Sequence, residues 1–134
     1  MVVPTFVQQA LRGVPITVYG DGDQSRCFTH VADAVAALER LSQHNEAIGQ
    51  VYNIGNSEVI TIAELARLVK SMTGSNSEIC YIPYDEAYEE GFEDMPRRVP
   101  DISKIRALVG YEPTRSLETI IRDVIDFSEH GELV

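Results

Sequence analysis

The chain has 134 residues, 44% of them hydrophobic, with 11 Lys and Arg against 21 Asp and Glu, a formal net charge of −10. That length suits one domain with a modest core. The acidic balance excludes a nucleic-acid binder or a partner of anionic membranes, both of which need a basic face, but two placed arginines can still hold a small anion.

In chain order, Val3, Phe6, Val7, Ala10 and Leu11 recur at helical spacing, with Pro4 in the first turn and Gly13 as the stop. Ile16–Tyr19 is rich in β-branched residues and predicts a strand. Gly20-Asp21-Gly22-Asp23-Gln24-Ser25 predicts a turn, and Arg26–Thr29 a second short strand. A helix follows, with Val31, Ala34, Val35, Leu38 and Leu41 on its apolar face and Asp33 in its first turn, where a carboxylate suits the helix dipole. After a polar connection, Val51–Ile54 predicts a strand that ends at Gly55-Asn56. Thr61 and Glu64 form a capping box, and the helix they open buries Ile62, Leu65, Leu68, Val69 and Met72.

Residues 78–82 predict a strand closed by Pro83. Residues 84–100 are irregular, acidic and then abruptly basic. Asp101 caps a short helix that stops at Gly110, and Ser116 caps a last helix striped by Leu117, Ile120, Ile121, Val124 and Ile125. The order is mixed α/β. No strand leads through a Gly-rich loop into a helix, so neither a dinucleotide fingerprint nor a P-loop is present.

Cys27 and Cys80 stand far apart with no CxxC spacing. No apolar run nears the ~18 residues of a membrane span, and no signal-peptide pattern opens the chain. A reduced, cytoplasmic protein is expected. His30 follows Cys27 by three residues without a second ligand pair, so no metal site is expected.

Four segments together resemble the extended short-chain dehydrogenases that act on nucleotide sugars, the NAD-dependent epimerase/dehydratase family. They are Val2–Val7 with Gln9-Ala10-Leu11; Ile16–Asp33, which contains Gly20-Asp21-Gly22-Asp23-Gln24-Ser25-Arg26; Tyr52-Asn53-Ile54-Gly55-Asn56; and Arg98–Lys104 followed by Gly110-Tyr111-Glu112-Pro113. The second segment is the specific one. The resemblance implies that residues 1–134 form the C-terminal nucleotide-sugar-binding domain, a small mixed α/β domain, with the N-terminal Rossmann half absent. In the family that half carries the Gly-rich NAD site and a Tyr-x-x-x-Lys catalytic pair. Neither occurs here, since Tyr81 is followed four positions on by Asp85 and Tyr84 by Tyr88. Met1 is open to two readings, an internal methionine at a boundary or the start of a shortened gene.

The resemblance also assigns roles. The ligand is a nucleoside diphosphate sugar, most simply a UDP-sugar, whose diphosphate suits forked guanidinium donors. Arg26 is the first diphosphate ligand by resemblance; by its residues alone it reads as a surface arginine paired with Asp21 or Asp23. Arg98 is the second, with Arg97 as its rival. Tyr19 is either a stacking face for the base or a half-buried strand tyrosine. Gln24 either bonds the ligand or serves the turn. No catalytic, cofactor or metal residue is expected in the chain, and NAD belongs to the complete enzyme. Arg98-Val99-Pro100-Asp101 leans toward UDP-xylose synthase-like decarboxylases and related 4-epimerases. The alternative is a non-catalytic remnant that binds a nucleotide or a protein partner, with self-association through exposed apolar helix faces, above all Val3–Leu11.

Overall fold

The computed structural model describes residues 1–84 and 95–131; the acidic run 85–94 lies outside them. The described elements are α1 (Val2–Leu11), β1 (Ile16–Tyr19), β2 (Ser25–Arg26), α2 (Val31–Ser42), β3 (Ile60–Thr61), α3 (Ile62–Met72), β4 (Ile79–Ile82), α4 (Ser103–Val109) and α5 (Leu117–His130). This is a small mixed α/β fold. Among the described residues, no helix is long and apolar enough to cross a membrane. The chain divides into two units: Met1–Arg26 with Ile60–Arg97 and Ile121–Val134, and Cys27–Val59 with Arg98–Ile120.

In the first unit β1 and β4 pair in parallel, from Ile16 opposite Ile79 to Tyr19 opposite Ile82. Helices α1 and α3 pack on β1 and on each other. Their periodic apolar residues supply the core: Val3, Phe6, Val7 and Ala10 from α1, Ile62, Leu65, Ala66 and Val69 from α3, with Ile16 and Val18 between. Alanines 63 and 66 fill the α3 face, and Leu68 and Met72 are only partly buried. The Thr61–Glu64 capping box forms as expected: Glu64 N–H donates to Thr61 Oγ1 at 3.1 Å and Thr61 N–H to Glu64 Oε2 at 3.0 Å. Because the apolar face of α1 is covered, α1 is not the exposed face expected for self-association.

The second strand differs from expectation. It is Ser25–Arg26, antiparallel to β3, rather than Arg26–Thr29. The ladder can run only as far as its partner, and β3 is two residues long.

The second unit packs α2 and α4 around Ala37, Ile102, Ile105 and Tyr111, with Leu41, Tyr52, Ile54 and Val109 against them. Here α2 is turned from the predicted face. Asp33 and Ala37 are buried, whereas Val31, Val35 and Leu38 are 69%, 56% and 57% exposed. Apolar periodicity identified the stripe but not which side of the helix the core covers. The segment Val51–Ile54 also departs from prediction. Tyr52 and Ile54 face the core and Val51 faces out, which is strand alternation, yet no described residue pairs with it in a ladder. A strand needs a neighbour to hydrogen-bond, and periodicity alone does not supply one.

Candidate functional site

Arg26 is held by the turn that precedes it. Gly22 has φ +78°, and a Cβ there would lie 2.9 Å from both Ala63 Cβ and Val18 Cγ1, so only glycine fits. The turn carbonyls meet the start of α3: Ala63 N–H donates to Gly22 O and Ile62 N–H to Gln24 O, both at 3.0 Å. Two otherwise orphaned helix donors are thereby satisfied, and the turn is fixed to the core. Asp21 Oδ1 accepts from Asp23 N–H at 2.9 Å and tightens it further.

Past the turn, β2 pairs on both sides. Beside its ladder with β3, Ser25 N–H donates to Pro96 O at 2.8 Å, and Ser25 bridges Arg97 in parallel. Arg26 Nη1 donates to Ser25 O and to Met95 O, each at 2.8 Å. Two backbone carbonyls thus fix the direction of one guanidinium. A side chain held this way gives up less rotamer freedom on meeting a ligand.

Gln24 serves the turn, with Nε2 donating to Tyr19 O at 3.0 Å; its Oε1 is buried without a partner. Tyr19 ends β1 and is 40% exposed, leaving part of its ring accessible. Tyr19, Gln24, Arg26 and Arg97 all belong to the first unit, and Gln24 joins the Tyr19 backbone directly. Arg98 opens the second stretch of the second unit. Both Arg97 and Arg98 are exposed.

In the second unit, the chain just after Arg98 is fastened to the segment 53–56. Asn53 Nδ2 donates to Asp101 O at 3.2 Å, and Pro100 lies against Gly55. That segment is itself held by Tyr111 Oη, which donates to Gly55 O at 3.1 Å, and by Asn56 N–H, which donates to Thr29 Oγ1 at 2.9 Å. Burial and the negative charges of Asp33 and Glu112 push the Tyr111 hydroxyl above its ordinary range, so it stays a neutral donor.

Sequence reasoning missed the parts played by Met95, Pro96, Tyr111 and Thr29. Their contacts join residues far apart in the chain and leave no local pattern. His30 takes a structural place, its Nδ1 accepting from Ala32 N–H at 3.0 Å as the α2 cap.

Solved structures give the class. An epimerase of the methanogen Methanothermobacter thermautotrophicus superposes with a TM-score of 0.87 at 28% identity, covering 99% of this chain and 38% of that one. UDP-glucuronic acid 4-epimerase of Bacillus cereus, in complex with UDP-glucuronic acid and NAD, superposes with a TM-score of 0.85 at 25% identity, covering 98% and 40%. These are extended short-chain dehydrogenases. The chain belongs to the NAD-dependent nucleotide-sugar epimerase/dehydratase family, and residues 1–124 match the family described as GDP-mannose 4,6 dehydratase.

Among curated relatives, it is 37% identical over 127 residues to a UDP-N-acetyl-α-D-glucosaminuronate decarboxylase of Bacillus cytotoxicus, covering 94% of this chain and 39% of the relative. It is 41% identical over 126 residues to UDP-glucuronic acid decarboxylase 1 of Danio rerio, covering 94% and 28%. The chain therefore spans roughly a third of the length of these relatives.

Proposed function

We propose that residues 1–134 are the substrate-binding domain of an NAD-dependent nucleotide-sugar enzyme, and that they bind the diphosphate of a UDP-sugar through arginines. The observation that carries this reading is Arg26, a guanidinium at the end of a glycine turn, aimed by the carbonyls of Ser25 and Met95. A guanidinium offers five N–H donors in a planar fork that suits phosphate oxygens, and the two carbonyl contacts fix its direction. Arg98 is the second diphosphate ligand by family resemblance, and Arg97 is its rival. The exposed part of Tyr19 suits stacking on a pyrimidine.

The decarboxylase relatives, named for UDP-N-acetyl-α-D-glucosaminuronate and UDP-glucuronic acid, favour a UDP-hexuronate as the sugar nucleotide. Bound NAD in the complete enzyme supplies oxidation of the sugar and return of the hydride. This chain's residues supply affinity and orientation, which are a large share of catalysis when a loose substrate would otherwise have to be aligned. The partner for the exposed α2 stripe and the unpaired Val51–Ile54 segment is the Rossmann half. An apolar helix face and a segment with no ladder among the described residues are what such a half would cover.

The test is titration of UDP at millimolar concentration into isotopically labelled protein. Saturable amide shifts at residues 19–26 that disappear in Arg26→Ala support the reading. A dispersed spectrum without shifts argues against a preformed half-site and favours a non-catalytic, partner-binding module.

A further inference from the structure

We infer that Gly55, with Asn53, is a positioning residue for Arg98. This deepens the reading above and rests on Arg98 as a diphosphate ligand. All the residues involved lie in the second unit.

Gly55 is needed for space, not for its backbone angle. A Cβ on it would lie 2.6 Å from Pro100 Cγ and 3.3 Å from Pro100 Cβ, with Thr29 Oγ1 at 3.7 Å. Gly55 cannot retreat easily, because Tyr111 Oη holds its carbonyl and Thr29 Oγ1 holds the next amide. The side that yields is therefore Pro100, whose ring is part of the backbone two residues beyond Arg98. From the same segment, Asn53 Nδ2 grips Asp101 O at 3.2 Å. Asp101 Oδ1 in turn accepts from Ser103 N–H at 2.9 Å, which ties the grip to the start of α4.

On the C-terminal side of Arg98 the path into the fold thus runs through Pro100 and Asp101, and both are set by the segment 53–56. A displacement on the order of 1 Å at such a support can cost as much as the loss of a direct contact.

The experiment measures UDP affinity by calorimetry on the full chain for Arg98→Ala, Gly55→Ala, Asn53→Ala and Pro100→Ala, and for the double variants Gly55→Ala/Arg98→Ala and Gly55→Ala/Pro100→Ala. Melting temperature is read alongside. Arg98→Ala and Gly55→Ala are each expected to weaken UDP by about tenfold. In the Arg98→Ala background the Gly55 change should add nothing, because the positioned group is gone. Removing Pro100 Cγ should return Gly55→Ala to within about threefold of Pro100→Ala. A purely structural role for Gly55 would lower the melting temperature without this dependence on Arg98.

If Gly55→Ala does not fold, Asn53→Ala carries the test, since Asn53 is exposed and its side chain grips Asp101 O. It should weaken UDP by about threefold, again only when Arg98 is present. Weak binding in Arg98→Ala with wild-type binding in Gly55→Ala and Asn53→Ala overturns the inference alone. Losses that add to that of Arg98→Ala also overturn it. Wild-type binding in Arg98→Ala overturns the assignment of Arg98, and this inference with it.

Discussion

Asp33 has only 4% of its side chain exposed, yet it stays ionised. Burial alone would raise its pKa. The hydroxyl and amide of Thr114 and the amide and guanidinium of Arg115 outweigh burial and hold it below the usual carboxylate range. Thr114 Oγ1 donates to Oδ1 at 2.7 Å, Arg115 Nη1 to Oδ1 at 2.9 Å, and the two amides to Oδ2 at 3.1 Å each. A carboxylate depressed in the fold stabilises fully above its unfolded pKa, near 3.9, and the contribution is lost as pH falls through the lower folded value. Urea unfolding should therefore show stability falling below about pH 4. Asp33→Ala should cost about 2 kcal/mol at pH 7 through the loss of its hydrogen bonds to a charged group, and should flatten that acid limb. An acid limb unchanged in the variant would assign the loss to other carboxylates.

Two glycines permit a sharper test at this scale. Gly13 and Gly22 both have positive φ, +67° and +78°, but a Cβ at Gly13 meets open space while one at Gly22 meets Ala63 and Val18. Gly13→Ala should cost about 1 kcal/mol, the backbone penalty alone, whereas Gly22→Ala should cost at least about 2 kcal/mol through the added clash. Thermal melts of the pair read the difference directly.

Elements whose ends are written locally were legible in the sequence. The Thr61–Glu64 box, Gly110 as a left-handed stop at φ +63°, and Ser116 at the head of α5 each depend on side chains within a turn of the boundary. Thr61→Ala should lower stability by about 1 kcal/mol in denaturant unfolding, because the Glu64 N–H loses its acceptor. The strands were legible only where their partners could accommodate them. Ile16–Tyr19 found a four-residue partner in β4, β2 stopped at the length of β3, and Val51–Ile54 found no ladder among the described residues. Strand periodicity reports which side chains share a face; the hydrogen-bonding neighbour is set by the rest of the chain. The candidate site divides in the same way. Arg26 and its glycine turn could be read from adjacent residues. The Met95 carbonyl that aims Arg26, and the Tyr111–Gly55 bond, come from 69 and 56 residues away in sequence.

At the scale of the whole molecule, the charge of −10 and the apolar stripe of α2 oppose each other. Net charge keeps copies apart, while Val31, Val35 and Leu38, at i, i+4 and i+7, offer a contiguous apolar strip that a soluble surface rarely leaves open. Charge repulsion is screened by salt, with a Debye length of about 10 Å at 0.1 M, and apolar association is not. The isolated chain should therefore sediment as a monomer at low salt and self-associate reversibly as salt and protein concentration rise. Val35→Glu with Leu38→Glu should abolish that association. The same variant should change unfolding stability by no more than about 0.5 kcal/mol, because exposed positions contribute little to the core. A loss of several kcal/mol would instead place these side chains inside the fold. A monomer under all salt conditions would mean that repulsion outweighs the stripe, and that its cover must come from a partner of different surface chemistry.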